Sequence, residues 1–231
     1  MTPDLQQLYA ERAPYHLPLY TVRQAAQLVG LPRRTAAQWA EPAAGLLIRP
    51  PGGTGLSFLN LIELHVLAAI RQHHRVPLGR VRHAVEYVRD KFGTSHPLAE
   101  RPFETDGVDL FIHELDVLVN ASRRGQVTIR ELVAAYLKRI ERDETGFPLR
   151  LYPLYRAGTE TVAEVQQAPL LIAVDPTVSF GRPMLASSGI PVALVVSRYR
   201  AGDTIRDLVE DYHLPQVAVE EALRYELGVA A

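Results

Sequence analysis

The sequence predicts an α+β protein that is mainly helical, with an N-terminal winged helix-turn-helix, a small α/β middle section and a C-terminal helical module of helix-turn-helix form. Three observations predict it. Apolar residues recur at helical spacing on both sides of Gly30, so two short helices meet at a tight turn. Residues after Arg101 carry short β-prone runs separated by turn residues. Near the end, Leu214-Pro215 separates two further helical stretches. The chain divides accordingly into a leader over 1–18, a head over 19–95, a middle section over 96–174 and a final module over 175–231.

In the leader, Pro14 and Pro18 break any helix begun at Asp4 to Glu11. Thr21 is placed to cap a first helix whose inner face is Val22, Ala25, Ala26 and Val29. Gly30 stops it, and Pro32 sits at the start of a second helix running to about Ala40. Leu46 to Pro50 and Leu56 to Phe58 read as two short strands joined by a glycine-rich tip, a β-wing. A strongly apolar helix follows over Leu59 to His74. Pro77 opens another, through about Phe92, with Val81, Val85 and Val88 on one face.

Phe103 to Thr105, Val108 to His113 and Leu118 to Asn120 suggest a meander turning at Asp106-Gly107. Thr128, with Glu131 three residues on, predicts an amphipathic helix to Arg142. Phe147 to Leu154 and Pro169 to Val174 read as strands. After a loop at Asp175-Pro176 and Gly181-Arg182-Pro183, Asp203 or Thr204 caps a helix to about Tyr212, and a last helix runs through about Tyr225.

Composition is that of a globular chain, with 47% hydrophobic and 22% charged residues. There is no cysteine, which removes disulfides, thiolate metal sites and thiol nucleophiles. No signal peptide and no apolar run of membrane-spanning length is visible, so a cytoplasmic location is expected. The net charge is −1, but it is unevenly spread: residues 1–100 hold eleven Arg/Lys against seven Asp/Glu, and residues 101–231 hold fourteen against nineteen. A basic front and an acidic back fit a phosphate-facing head joined to a part that meets another partner.

The second predicted helix carries the chemistry. Helical placement puts Arg33, Arg34, Thr35 and Gln38 on its outer side and Trp39 inward, against Ala25 and Leu28. Arginine reads guanine O6 and N7, glutamine reads adenine, and Thr35 can meet a base or a phosphate. Arg23, near the start of the first helix, is a candidate for backbone phosphate, and Thr21 beside it is a further DNA-binding candidate. The alternative is a helical hairpin with solvated arginines.

Other chemistry is poorly supported. Gly52, Gly53 and Gly55 lack the Gly-Lys-Ser/Thr of a phosphate loop, and no dinucleotide fingerprint or nucleophile elbow occurs, so neither a cofactor nor an enzyme activity is expected. His65, His73, His74, His83 and His113 show no ligand spacing; adjacent His73 and His74 point about 100° apart on a helix. Asp106, Asp109, Glu114 and Asp116 read as a soluble edge or as a face for a basic partner.

Tyr20-Thr21-Val22-Arg23-Gln24-Ala25-Ala26, then Val29-Gly30-Leu31-Pro32-Arg33-Arg34-Thr35 and Trp39, closely resemble the start of the MerR-like winged helix-turn-helix. Leu56-Ser57-Phe58 followed by Leu61-Ile62-Glu63-Leu64 resembles its step from wing to helix, and the likeness runs from about residue 18 to 92. It implies that Arg49 and the glycine tip lie beside the minor groove or the backbone.

A second resemblance lies in the final module. Asp175 to Pro183, Ser188-Gly189-Ile190-Pro191-Val192, Ala201-Gly202-Asp203-Thr204, Leu208, Asp211-Tyr212, Val219, Ala222-Leu223 and Tyr225 are similar to a bacterial domain-of-unknown-function family found in VapB-type antitoxins. Where many members carry Gly-Thr-Arg before Ile-Pro-Val, Ser187-Ser188-Gly189 stands here. This resemblance implies a helical, often homodimeric module in a type II toxin–antitoxin system, with a PIN-domain ribonuclease toxin as partner and operator DNA as target. The last helix, with Glu220, Glu221 and Glu226 against Arg224, would repel phosphate and reads as a packing or partner surface. The competing reading is a stand-alone MerR-like regulator that senses a small molecule through its C-terminal half.

Overall fold

Where the apolar periodicity runs, and where glycine or proline interrupts it, sets the order of elements. The computed structural model describes residues 12–40, 47–52, 55–73, 77–100, 103–119, 123–155 and 161–230. Helices α1 (Val22–Leu28) and α2 (Arg33–Trp39) come first, then α3 (Phe58–His73) and α4 (Leu78–Phe92). Next are α5 (Val108–Val119), α6 (Arg123–Leu137), β1 (Ile140–Arg142), β2 (Pro148–Leu151) and α7 (Val162–Gln167). The final part holds β3 (Ile172–Ala173), β4 (Met184–Leu185), α8 (Val192–Arg200), α9 (Ile205–Tyr212) and α10 (Gln216–Ala230). The α+β, mainly helical class is what the structure has.

Helix α3 is the axis of the molecule. Every residue from Phe58 to Ile70 is buried, the mark of a helix enclosed on all sides. It packs along α6, where the His65 ring lies 4.8 Å from that of Tyr136. Strands β1 and β2 pair antiparallel, as do β3 and β4, and an antiparallel bridge from Leu151 to Val174 links the two small sheets. A single apolar cluster runs from Tyr15 to Tyr225, so the four sequence segments share one core.

Several expectations need correction. The leader is not separate: residues 12–16 are helical through Pro14, and Tyr15 packs edge-on against Phe58 and Phe147, with centroids 5.6 and 5.0 Å away. Arg12 adds an ion pair to Asp143 at 3.0 Å. Residues 1–11 lie outside the described residues. The meander is a helix. Phe103–Gly107 forms a wide helical turn that runs into α5, because Val108, Phe111 and Ile112 are buried at i, i+3 and i+4 while Asp109 and His113 are exposed.

The next helix also differs. It begins at Arg123, not Thr128, and ends at Leu137, so Glu141 and Arg142 belong to a strand. Residues 123–126, Arg-Arg-Gly-Gln, carry no apolar residue in sequence, which hid the start of α6. The strands expected over Phe147 to Leu154 and Pro169 to Val174 contract to β2 and β3.

Candidate nucleic-acid interface

Local chemistry builds the α1–α2 pair. Thr21 caps α1 reciprocally: Gln24 N–H donates to its Oγ1 at 3.2 Å, and its own N–H donates to Gln24 Oε1 at 2.9 Å. Gly30 takes a φ of 65°, a left-handed turn that costs glycine little. Pro32 is the N-cap of α2, one position before the helix proper. Ala25, Ala26 and Ala36 are fully buried, and these small side chains let the two helices approach closely. Trp39 is 2% exposed and anchors the inner side of α2, as expected.

The outer side of α2 is what the sequence placed there. Arg33, Arg34, Ala37 and Gln38 are exposed and Thr35 is half-buried. Arg23 on α1 and Arg49 are exposed as well. Among the described residues, none of Arg23, Arg33, Arg34 and Arg49 has a carboxylate within ion-pair distance. The arginines at the back behave differently. Arg198 binds Asp203 and Asp211, Arg200 binds Glu226 at 3.1 Å, and Arg224 binds Glu220 and Glu221. Thr21 departs from its expected part, since its hydroxyl already donates to Gln24 Oε1 at 2.8 Å.

The predicted wing is not a two-stranded hairpin among the described residues. Leu56 bridges antiparallel to Tyr20 instead of pairing with residues 47–50, and Leu46 in the first expected strand and Gly53 and Thr54 at the tip lie outside the described residues. The 47–50 segment is held by helices. The N–H groups of Leu47 and Ile48 both donate to the Trp39 carbonyl at 3.0 Å. Arg89, from α4, donates to the Leu47 carbonyl at 3.1 Å, and Asn60, from α3, donates to the Arg49 carbonyl at 3.1 Å. This side-chain scaffold does the work a hairpin ladder would do.

The support behind Arg49 escaped the sequence reading. Asn60 is fixed by Ser57, whose N–H donates to Asn60 Oδ1 at 3.1 Å, and by buried Glu63 at 3.3 Å. His96 Nδ1 donates to the same Glu63 oxygen at 3.2 Å. Arg89 is buried, and burial, with the neighbouring Arg49 charge adding to it, pulls its guanidinium below the ordinary arginine value. The Ser-x-x-Asn spacing at Ser57 and Asn60 was the available signal. Nothing local marks Arg89 or His96.

Other candidates are absorbed internally. His65 Nε2 donates to the Tyr136 carbonyl at 3.1 Å, and His83 lies 3.8 Å from Glu114. Asp109 pairs with Arg130 at 2.9 Å, so two of the acids suggested as a partner face are engaged with neighbours. No grouping of three metal-binding side chains occurs among the described residues. No helix there is long and apolar enough to cross a membrane. A cavity of about 90 Å³ opens behind α2, between Thr35, Gln38 and Trp39 on one side and Leu67, Ile70, Leu78 and Val81 on the other.

Among known proteins, one family model matches the end of the chain, and relatives match most of its length. Residues 172–225 match the family model described as "Protein of unknown function (DUF433)". The whole chain has relatives too. It is 27% identical to the Mycobacterium tuberculosis protein described as "Putative antitoxin VapB45", over 90% of this chain and 94% of the relative. The "Uncharacterized protein Rv2308" of the same organism is 26% identical over 90% and 89% of the two chains. The crystal structure of Rv2018, also from M. tuberculosis, superposes with a TM-score of 0.69 at 24% identity, covering 90% of this chain and 99% of that one. That likeness is one of fold.

Proposed function

We propose that this chain is the antitoxin of a type II toxin–antitoxin system, which binds and neutralises a PIN-domain ribonuclease toxin and represses its own operon by binding operator DNA. Similarity along 90% of the chain to a protein described as a putative antitoxin supports the first half. The observation that carries the second is the set of exposed arginines on a helix-turn-helix that have no carboxylate partner among the described residues. Charges without such a partner are available to phosphates and base edges, whereas Arg198, Arg200 and Arg224 at the back are ion-paired.

In this reading residues 18 to 92 work as a MerR-like helix-turn-helix in the cytoplasm, with the helix-held 47–50 segment in the place of the wing. Helix α2 enters the major groove, with Arg33, Arg34 and Gln38 at base edges and Thr35 at a base or phosphate. Arg23 and Arg49 hold the backbone, and Thr21 supports Arg23 by capping α1. A homodimer places two such helices in successive major grooves of a palindromic operator, about 34 Å apart. Glu220 and Glu221 on α10 are bound to Arg224, which suits a packing surface better than a second DNA reader.

The competing reading is a stand-alone regulator that senses a small molecule through its C-terminal half; the cavity behind α2, at about 90 Å³, is smaller than the roughly 300 Å³ such a ligand ordinarily needs. Co-expression with the adjacent open reading frame separates the two. An antitoxin co-purifies with a PIN-domain protein and abolishes its ribonuclease activity. A chain that captures no such protein, and whose DNA affinity changes with an apolar small molecule, contradicts the antitoxin reading.

A further inference from the structure

A loop of the final module is fastened to the entrance of the helix-turn-helix. The Tyr20 hydroxyl donates to the Gly181 carbonyl at 3.1 Å. The fit is close: a Cβ at Gly181, whose φ is 71°, would collide with that hydroxyl. Glycine therefore serves both the left-handed turn and the approach. Tyr20 is the residue before Thr21, the cap of α1, and its N–H and carbonyl pair with Leu56 at 3.0 and 2.7 Å. The loop is thus fixed to the short segment that joins the chain returning from Arg49 to the start of α1, which carries Arg23.

Arg182 follows Gly181 directly. It is exposed, with no carboxylate within ion-pair distance among the described residues. Its setting is short of acid. The two stretches of chain that meet at the Tyr20–Gly181 bond, residues 13–40 and 176–202, contain no Asp or Glu, though the whole chain has 26. The acid before the loop, Asp175, is buried; it accepts from Thr177 and lies 3.5 Å from Arg150. Of the arginines in the second stretch, Arg198 and Arg200 are ion-paired and Arg182 is not. An unpaired cation on chain empty of carboxylates attracts a polyanion, and more so where other such cations adjoin it.

We infer that Arg182 binds a backbone phosphate of the operator DNA, so that the final module extends the DNA-binding face of the head beyond Arg23. The ligand is a duplex phosphate and not a base edge, because the loop is held at the entrance of α1 and not on α2. The two ends of the chain then grip one duplex, and the Tyr20–Gly181 bond sets the spacing between the Arg182 contact and those of α1. The inference rests on the DNA-binding half of the proposed function and is independent of the toxin.

Fluorescence anisotropy of the full chain on the upstream DNA, repeated over a range of salt, tests it with Arg182→Ala, Arg182→Lys, Arg206→Ala and Arg33→Ala/Arg34→Ala. Arg182 is exposed, so its truncation leaves the fold intact. Arg182→Ala should bind about tenfold more weakly, and its plot of log affinity against log salt should be shallower by about 0.9 for each protomer bound. Arg182→Lys keeps the slope. Arg206→Ala, which removes an exposed guanidinium paired with Glu210 at 2.8 Å, keeps both slope and affinity. An Arg182→Ala chain with wild-type affinity and slope, beside a weakened Arg33→Ala/Arg34→Ala chain, overturns the inference and leaves the reading helix standing. A loss in Arg182→Ala without a change of slope, or one that Arg206→Ala matches, overturns it also, since neither marks a phosphate contact at Arg182. Weakening by Arg182→Ala with the expected slope, and none by Arg33→Ala/Arg34→Ala, supports Arg182 and contradicts α2. A wild-type chain that does not bind the upstream DNA overturns the inference together with the function it rests on.

Discussion

At the scale of single residues, the fold is held at points where a buried charge meets backbone carbonyls. Arg139 is the clearest. Its guanidinium donates to the carbonyls of Tyr152 at 2.8 Å, Ala168 at 2.9 Å and Pro169 at 3.2 Å, tying the end of α6 to β2 and to the segment after α7. Arg139→Ala strands those acceptors and should cost about 3–5 kcal/mol in urea unfolding; Arg139→Lys rescues little of it, since an ammonium cannot span three carbonyls.

His65 gives a pH signature. Burial lowers its pKa from the ordinary value to about 3, so the folded chain holds it neutral. The unfolded chain protonates it below about 6.5 and therefore binds the extra proton between those values. Its contribution to stability is whole above about 6.5, falls by about 1.4 kcal/mol per pH unit on acidification, and stops falling near the folded pKa. His65→Gln, which can still donate to the Tyr136 carbonyl, removes this dependence. Between pH 6.5 and 4 the wild type should lose about 3 kcal/mol more than the variant; equal losses would show that His65 is not held neutral.

At the scale of elements, the scaffold behind Arg49 decides how well the head is formed. Asn60→Ala frees the Arg49 carbonyl and removes the partner of Ser57, at a cost of about 1–3 kcal/mol. The loss should concentrate in the 47–50 segment, where amide exchange quickens first. Uniform loosening across α3 would mean that Asn60 serves the helix alone.

The elements that were legible are those announced by local chemistry. Thr21 with Gln24 and Thr204 with Asp207 cap their helices, and Pro77 and Gly93 bound α4. Helix α5 was misread because the short apolar run Leu110 to Ile112 cannot by itself tell a buried strand from a buried turn of helix. The wing failed for a different reason. What holds Leu47 to Arg49 comes from Trp39, Asn60 and Arg89, residues of three helices that no window of sequence brings together.

At the scale of the whole molecule, the distribution of charge separates two surfaces. The basic excess of residues 1–100 is carried by exposed arginines at the head, and much of the acidic excess behind is spent on Arg198, Arg200 and Arg224. The composition made that asymmetry visible; which arginines stay free is a property of the fold. It is the reason the head, and not the second helix pair, is assigned to DNA.

Fluorescence anisotropy on the DNA upstream of the gene, at one fixed salt concentration, tests that assignment most directly. Arg33→Ala/Arg34→Ala should bind at least about 30-fold more weakly than the wild type and still hold the toxin, since each arginine contact to a base is worth about 1–3 kcal/mol. Unchanged DNA affinity in the double variant would contradict the placement of α2 as the reading helix.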